Sequence, residues 1–377
     1  MRLADLTTLR VGGDAVEVLA PSTSEELVLA VREAWATGEE WLLLGGGSNL
    51  VVGDEGFDGT VIRILTRGIE RLQVETHALR PSAYLGDRAV RLRIAAGEPW
   101  DAVVAHAVEN GWAGIEALSG IPGSSGAAPI QNIGAYGQEV GSSLVAIEFL
   151  DYLTGEVSRI PAGELGLGYR TSVLKNGREG LVISIELELA ETPADRRPLS
   201  APIAYAQLAT ALGVRLGDRV PLDELRSTVL ALRASKGMLW SESDPDSFSA
   251  GSFFTNPIVS ENFARGLPAD APRWPTAAEE RDVAVPLGEE PAIPEVAGEY
   301  HVKLSAAWLI ERAGIHRGFA LPGSRAAISS KHTLALVNTG GASAEEILQL
   351  ARYVQTRVFS EFGVRLQPEP VLVGAFL

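Results

Sequence analysis

No stretch restricts this chain more than residues 120–137, GIPGSSGAAPIQNIGAYG, where five glycines and two prolines fill eighteen positions beside one bulky ring, Tyr136. Such backbone lets another group approach closely. Glycine supplies left-handed or otherwise strained dihedrals without a Cβ penalty and leaves amide N–H groups open to an anion such as a pyrophosphate. Ser124, Ser125, Gln131 and Asn132 add side-chain hydrogen bonds in the same loop. A multiple turn joining two strands is the alternative for a lone glycine-rich loop.

A second loop of the same kind lies upstream. Ser22 with Glu25 reads as a capping box, Leu27, Ala30, Val31, Ala34 and Trp35 fall at helical spacing, and Gly38 stands where a terminating glycine belongs. Residues 41–44 then read as a buried strand running into Gly45, Gly46, Gly47, Ser48, Asn49 and Leu50, with residues 60–64 strand-like again. This turn fails the dinucleotide fingerprint, because GxGxxG needs glycine where Leu50 stands and Val51-Val52 continues as strand rather than opening a helix. A glycine turn between strands still holds a pyrophosphate through its amides.

Residues 90–96 alternate, and Trp100, Val103, Val104, Ala107 and Val108 mark a helix closed by Gly111, with His106 at the edge of the apolar stripe as a structural residue. Strands at 145–153 and 156–160 form a hairpin around Thr154-Gly155, and 181–189 alternates as a half-buried strand. Pro221 opens a helix to about Arg233. Leu304, Ala307, Trp308 and Glu311 indicate another ending at Gly314, and the last long helix is capped by Ser343 with Glu346 and stops at Gly363. A Pro- and acid-rich stretch, 267–299, reads as a surface insertion. A final strand over 364–376 is interrupted by Gln367-Pro368-Glu369-Pro370; prolines around a carboxylate place Glu369 at an edge or a site rather than in a core ladder.

At 377 residues the chain exceeds one core, so two or three domains are expected. The balance of 32 basic against 48 acidic residues, net −16, opposes binding to nucleic acid or anionic membranes. Zero cysteines exclude disulfides, thiolate metal sites and a cysteine nucleophile. His77, His106, His301, His316 and His332 form no HExxH and no ligand-spaced pair with a carboxylate, so no metal is expected, and no GxSxG is present. The start has no apolar signal region and no stretch approaches eighteen uncharged apolar residues, so a soluble cytoplasmic protein is expected.

Six blocks taken together carry a resemblance: LGGGSNL (44–50), residues 120–137, GYRTSVLK (168–175), AGSFFTNP (250–257), VKLSAAWLI (302–310) and LQPEP (366–370). In this order they resemble the UDP-N-acetylenolpyruvoylglucosamine reductase family, the flavoenzymes of peptidoglycan precursor synthesis and hence cell wall biogenesis. The resemblance implies an α+β fold: a two-subdomain FAD-binding unit of the vanillyl-alcohol-oxidase type plus a separate α/β substrate-binding domain. The expected division is 1–66 and 67–236 for the FAD-binding subdomains, with the strand 364–377 returning to that unit, and 237–363 for substrate.

It also implies FAD held noncovalently by Gly45, Gly46, Gly47, Ser48, Asn49, Leu50, Gly123, Ser124, Gln131, Asn132, Gly134, Ala135 and Gly137, with NADPH as cosubstrate. Tyr169, Tyr205, Lys236, Asn256, Lys303 and His332 match the substrate residues, and Asn338 shares the KHTLALVN block with His332. The partner is then a small molecule, a UDP-sugar enolpyruvyl ether, and the protein a monomer. Two departures stand out: 267–299 is longer than in compact members, and Ala127 replaces a serine that some relatives offer the flavin.

Arg170, Ser252 and Glu369 match the catalytic positions. Hydride addition from flavin N5 to the terminal enolpyruvyl carbon leaves negative charge that spreads into the carboxylate. Arg170 offers a permanent bidentate cation to that carboxylate. Glu369, if burial holds it protonated, can share the charge through a hydrogen bond, and Ser252 is the expected proton donor to the adjacent carbon. Two alternatives remain open, another FAD oxidoreductase of this fold acting on a small alcohol and a non-catalytic sugar-nucleotide-binding protein; the latter needs Tyr205, Lys236 and Asn256 but neither Ser252 nor Glu369.

Overall fold

The computed structural model describes residues 1–73, 89–192, 196–276 and 301–377. His77 and the 277–299 part of the expected insertion lie outside the described residues.

The chain begins with β1 (Ala15–Leu19), α1 (Ser24–Thr37), β2 (Trp41–Leu44), β3 (Leu50–Val52) and β4 (Phe57–Arg63). β1 and β2 flank β4, both parallel to it. α1 is capped one residue later than the Ser22–Glu25 pattern indicates. The Thr23 hydroxyl accepts from the Glu26 amide, and the Glu26 carboxylate accepts from the amides of Ser22 and Thr23, because Glu26 and not Glu25 stands three residues past the capping hydroxyl. Gly38 ends the helix at φ +73.

Next come β5 (Ile69–Leu72), β6 (Ala89–Ala95), α2 (Trp100–Glu109), β7 (Trp112–Ala113), a short hairpin of β8 (Gly134–Ala135) and β9 (Gln138–Glu139), then β10 (Leu144–Asp151), β11 (Val157–Pro161) and β12 (Gly180–Glu191). Five of these make an antiparallel sheet in the order β11-β10-β12-β6-β5, to which β7 adds on β12. α2 covers one face through Trp100, Val103, Val104 and Ala107, and α1 packs Leu27, Val31 and Ala34 against Leu150, Leu181 and Ile183.

β12 is therefore not the half-buried strand its alternation suggested. A bulge between Val182 and Ser184, opposite Phe149 and Glu148, shifts the register, so Leu181 and Ile183 meet α1 while Ile185, Leu187 and Leu189 join the α2 core. Its polar positions are buried too, and each has partners. Glu186 meets Arg159 at 2.7 Å and Arg93 at 3.4 Å, Glu188 meets Arg91 at 2.6 Å, and the Ser184 hydroxyl donates to Glu148 at 3.1 Å. His106 packs edge-on against Trp112 at 5.5 Å, a structural place as expected.

α3 (Ala206–Leu212) and α4 (Leu222–Ser235) share a small core with Ile203 and Val220. The remaining elements are β13 (Ile258–Ser260), α5 (Glu261–Arg265), β14 (Arg273–Thr276), β15 (His301–Leu304), α6 (Ala306–Arg312), β16 (Ala326–Ile328), β17 (Leu336–Asn338), α7 (Ala344–Phe362) and β18 (Val371–Val373). β13-β15-β14 and β16-β17 are antiparallel. α7 carries the expected Ser343–Glu346 capping box and ends at Gly363, φ +68.

The core beneath α7 does not stop at the C-terminal elements. Leu9, Val11 and Val51 join Phe253, Phe254, Leu309, Ile347, Leu350 and Val354 in one cluster. Asp54 accepts the first amides of α7, from Ala344 at 2.8 Å and Glu345 at 3.0 Å, and the Asn338 amide donates to the carbonyls of Leu9 and Arg10.

The expected strand over 364–376 shrinks to β18, parallel to β3. Residues 367–369 are engaged elsewhere: the Gln367 carbonyl accepts the Thr255 amide at 3.1 Å, and the Glu369 amide donates to the Phe253 carbonyl at 2.8 Å.

Candidate active site

The two glycine loops pack against each other. A Cβ on Gly46 would lie 2.6 Å from the Gly123 Cα, and one on Gly45 2.3 Å from the Ser124 hydroxyl, so side chains are excluded on steric grounds. Gly47 adds a conformational demand, φ +60, with the Leu6 carbonyl 2.0 Å from where its Cβ would stand. The Ser48 hydroxyl donates to the Pro122 carbonyl at 3.1 Å, tying one loop to the other.

The amides of Gly46, Gly47, Ser48 and Asn49 donate to no carbonyl or side chain among the described residues. A run of unpaired N–H groups lining a cavity is a cradle for an anion. The cavity, about 370 Å³, is lined by both loops (residues 45–50 with Gly123, Ser124, Gln131 and Gly134) and by Arg170, Ser252 and Glu369. Its donors and its narrow walls fit the pyrophosphate of FAD.

Asn132, Ala135 and Gly137, expected to bind the cofactor, do not line this cavity. Asn132 is only 2% exposed and holds the protein together. Its amide donates to Glu139 at 2.9 Å and to the Gly168 carbonyl at 3.1 Å, and its oxygen accepts the Gly141 amide at 2.9 Å. A place in the loop fixes its backbone, but these bonds direct the side chain away from the cavity.

The three residues expected to act catalytically come together from positions far apart in the chain. Arg170 Nε lies 3.0 Å from Glu369 Oε1, and its Nη2 donates to the Gly134 carbonyl at 3.0 Å. Gln131 Nε2 reaches within 3.5 Å of the same carboxylate oxygen, and Asn49 donates to the Glu369 carbonyl at 3.3 Å. An ion pair of this length ordinarily lowers a carboxyl pKa, yet burial outweighs Arg170 and Lys175 and pushes Glu369 above the usual carboxylate range. Ser252 follows Gly251 at φ +76, and its hydroxyl has no partner among the described residues. The Phe253–Glu369 backbone bond sets Ser252 and Glu369 on adjoining segments.

The expected substrate residues fall into two groups. Lys303 Nζ sits 4.7 Å from the centre of the Tyr169 ring, and the Asn256 side-chain oxygen accepts the Ala306 amide at the start of α6 at 3.0 Å. Tyr169 and Asn256 line an adjoining groove of about 740 Å³. In the second group Tyr205 meets Tyr136 edge-on at 5.8 Å, and Lys236 stands 5.6 Å over the Tyr136 ring with its ammonium donating to Gln207 at 2.9 Å. His332 belongs with them electrostatically: burial, aided by Lys236, Arg233 and Arg317, pulls its pKa down to about 4. The ring is therefore neutral at pH 7, and its Nδ1 accepts the Leu334 amide at 3.2 Å.

Sequence reasoning missed two cations on the cavity wall, Lys175 and Arg233. Lys175 closes the quoted block 168–175, which was a usable signal. Arg233 is half-buried on α4 and bonds the carbonyls of Gly120 and Met238, each at 3.0 Å; nothing local in the sequence marks it. No group of residues suited to a metal exists among the described residues.

Comparison with known proteins agrees with this geometry. Residues 16–160 match the family described as FAD binding domain, and residues 244–373 match the C-terminal domain of UDP-N-acetylenolpyruvoylglucosamine reductase. The chain is 61% identical over 383 residues to the UDP-N-acetylenolpyruvoylglucosamine reductase of Leifsonia xyli subsp. xyli, covering all of this chain and 98% of that one. The chain belongs to the UDP-N-acetylenolpyruvoylglucosamine reductase family.

The reductase of Salinispora arenicola is 45% identical over 376 residues, covering all of this chain and 95% of that one. Among solved structures, the reductase from Thermus caldophilus superposes with a TM-score of 0.60 at 27% identity, covering 99% of this chain and 97% of that one. The two matched segments divide the reductase site unevenly. The FAD-binding match contains both glycine loops and the C-terminal match contains Ser252 and Glu369, while Arg170 lies in neither.

Proposed function

We propose that this chain catalyses the FAD-dependent, NADPH-driven reduction of UDP-N-acetylglucosamine enolpyruvate to UDP-N-acetylmuramate, a step of peptidoglycan precursor synthesis. The observation that carries the reading is one cavity shared by the unpaired amides of the first glycine loop, the second glycine loop, and Arg170, Ser252 and Glu369. Family membership supplies the reaction. FAD, when bound, supplies the hydride; residues 45–50 with Gly123, Ser124, Gln131 and Gly134 would hold it.

The residues of the chain then deal with charge and protons. Hydride addition at the terminal carbon of the enolpyruvyl group leaves negative charge delocalised into the carboxylate. Arg170 meets it with a cation already oriented by the Gly134 carbonyl. Glu369, whose pKa burial raises, is assigned to donate a hydrogen bond to the same charge from its protonated form. Ser252, with a hydroxyl free of protein partners, delivers the proton to the adjacent carbon. Tyr169, Tyr205, Lys236, Asn256, Lys303 and the neutral His332 are assigned to the sugar nucleotide, with the lysines opposite its phosphates.

We read 1–66 and 67–236 as the FAD-binding subdomains, joined by 364–377, and 237–363 as the substrate domain; the β3–β18 pairing supports the return of the C-terminal segment. A monomer in the cytoplasm, where NADPH and UDP-sugars are supplied, is the proposed setting, and a net charge of −16 supports the absence of a nucleic-acid partner. Among the described residues no helix is long and apolar enough to cross a membrane.

A two-step titration tests the function. The purified protein is expected to be yellow, to bleach with NADPH and to recover its colour on adding the enolpyruvyl sugar nucleotide. Protein that bleaches with a small alcohol and not with NADPH would point instead to the small-alcohol oxidoreductase. Acid precipitation is expected to release all flavin into the supernatant; flavin kept in the pellet would overturn noncovalent binding.

A further inference from the structure

Arg170 has φ +54, a left-handed conformation that residues with a Cβ rarely adopt. Its carbonyl oxygen accepts a hydrogen bond from Lys175 Nζ at 3.1 Å. Lys175 is itself rooted: its amide donates to the Ser172 hydroxyl at 3.2 Å, and that hydroxyl donates to the Ile130 carbonyl at 2.5 Å, next to the cavity residue Gln131. The ammonium therefore ties the backbone of Arg170 to the second glycine loop. Two of its three protons have no partner among the described residues, and Lys175 lines both the cavity and the adjoining groove.

We propose that Lys175 is a positioning residue for the reaction: it holds the Arg170 backbone in the left-handed conformation that aims the guanidinium at Glu369, and its charge acts on the Arg170–Glu369 pair. The inference rests on the roles given above to Arg170 and Glu369. The charged groups that act on the Glu369 carboxyl are Arg170 and Lys175, both favouring the carboxylate against burial. Tyr169, on the same loop, stays a neutral phenol because burial raises its pKa. The groove side carries Arg170, Lys175 and Arg365 and no carboxylate, so nothing there neutralises the ammonium.

Position and charge separate in three variants of the full chain loaded with FAD: Lys175→Met, Lys175→Gln and Lys175→Arg. The readout is the rate at which substrate reoxidises NADPH-bleached protein, followed by stopped flow across pH. Because Glu369 must be protonated, this rate falls as pH rises. Removing the ammonium makes Glu369 harder to ionise, so the alkaline limb of Lys175→Met is expected about one pH unit higher, with a plateau rate at least about tenfold lower.

Lys175→Gln keeps a donor for the Arg170 carbonyl, so it should regain the plateau while keeping the displaced limb. Lys175→Arg should restore both. An alkaline limb that stays at the wild-type pH in both Met and Gln variants overturns the proposal, as does a wild-type plateau in Lys175→Met. If the Met variant fails to load FAD, coincident limbs for Gln and Arg overturn it alone. Failure of the wild-type protein to be reoxidised by the enolpyruvyl sugar nucleotide would instead strike the function itself.

Discussion

The glycine cradle and the proposed catalytic cluster are built by opposite means. The cradle works because side chains are missing: Gly45 and Gly46 touch the second loop so closely that a single added carbon would collide with Ser124 or Gly123. The cluster works because three side chains are present, each on a segment fixed by bonds to distant parts of the chain, such as the Glu369 amide on the Phe253 carbonyl. The first tolerates no extra atom and the second no displaced one. Damage to the cradle should remove the cofactor altogether, whereas damage to the cluster should leave a yellow protein with one slow step.

Gly46→Val tests the first half with the largest effect. Its Cβ would stand 2.6 Å from the Gly123 Cα, inside any real contact, so the loops must separate. The purified variant is expected to hold less than about a tenth of the wild-type flavin, read from the visible spectrum, since a misplacement near an ångström disables a built site. Wild-type flavin content would show that the cradle is not where the cofactor binds.

Ser252→Ala tests the second half. Bleaching by NADPH should be spared, while return of the flavin on adding substrate should slow by about 10² to 10⁴-fold, the usual worth of a general acid. If bleaching slows equally, Ser252 supports the cofactor and the contrast between the two regions collapses. Glu369→Gln should slow the same return step by less, because an amide still donates a hydrogen bond.

Asp246→Asn reaches the segment leading to Ser252 without touching the cavity. Its carboxylate accepts from the Ser329 hydroxyl at 2.7 Å, the Ser330 amide at 2.7 Å and the Ser330 hydroxyl at 2.6 Å, and these bonds hold its pKa below the usual range despite burial. A lowered carboxyl pKa contributes stability above the unfolded value, near pH 4, that disappears as pH falls through the lower folded value. The variant should thus lose about 2 kcal/mol at neutral pH, and the gap should close in acid. Denaturation curves at both pH values check this; a gap independent of pH would mean that packing, not charge, is at stake. Thr23→Ala, at the α1 cap, should cost about 1 kcal/mol and leave both half-reactions unchanged.

The same contrast decides what was legible in the sequence. The glycine loops are contiguous, so residues 44–50 and 120–137 were readable as candidate anion loops, with a plain multiple turn as the alternative. α7 was equally plain, because its cap, apolar face and terminating glycine are all local. Glu369 stood out only through the prolines beside it, and its meeting with Arg170 is a matter of tertiary structure. β12 deceived for a related reason: its glutamates alternate as if facing water, but Arg91, Arg93 and Arg159 come from other strands to pair with them. The inward turn of the Asn132 side chain was not legible, because loop membership says nothing about where a side chain turns, and Arg233 escaped because a half-buried arginine in a helix looks like any other in sequence.

Asn49 and Glu369, joined by a hydrogen bond, are separated by 320 positions in the chain. At the pace of synthesis, about 5 to 20 residues per second, the first loop waits on the order of half a minute for its partner. Until the C-terminal elements have folded, Leu50–Val52 lack their β18 partner and the apolar residues Leu9, Val11 and Val51 lack the core that covers them. Contacts of such long reach close late in folding. Cofactor loading is then an event of the finished chain, and the nascent protein is the form most open to aggregation.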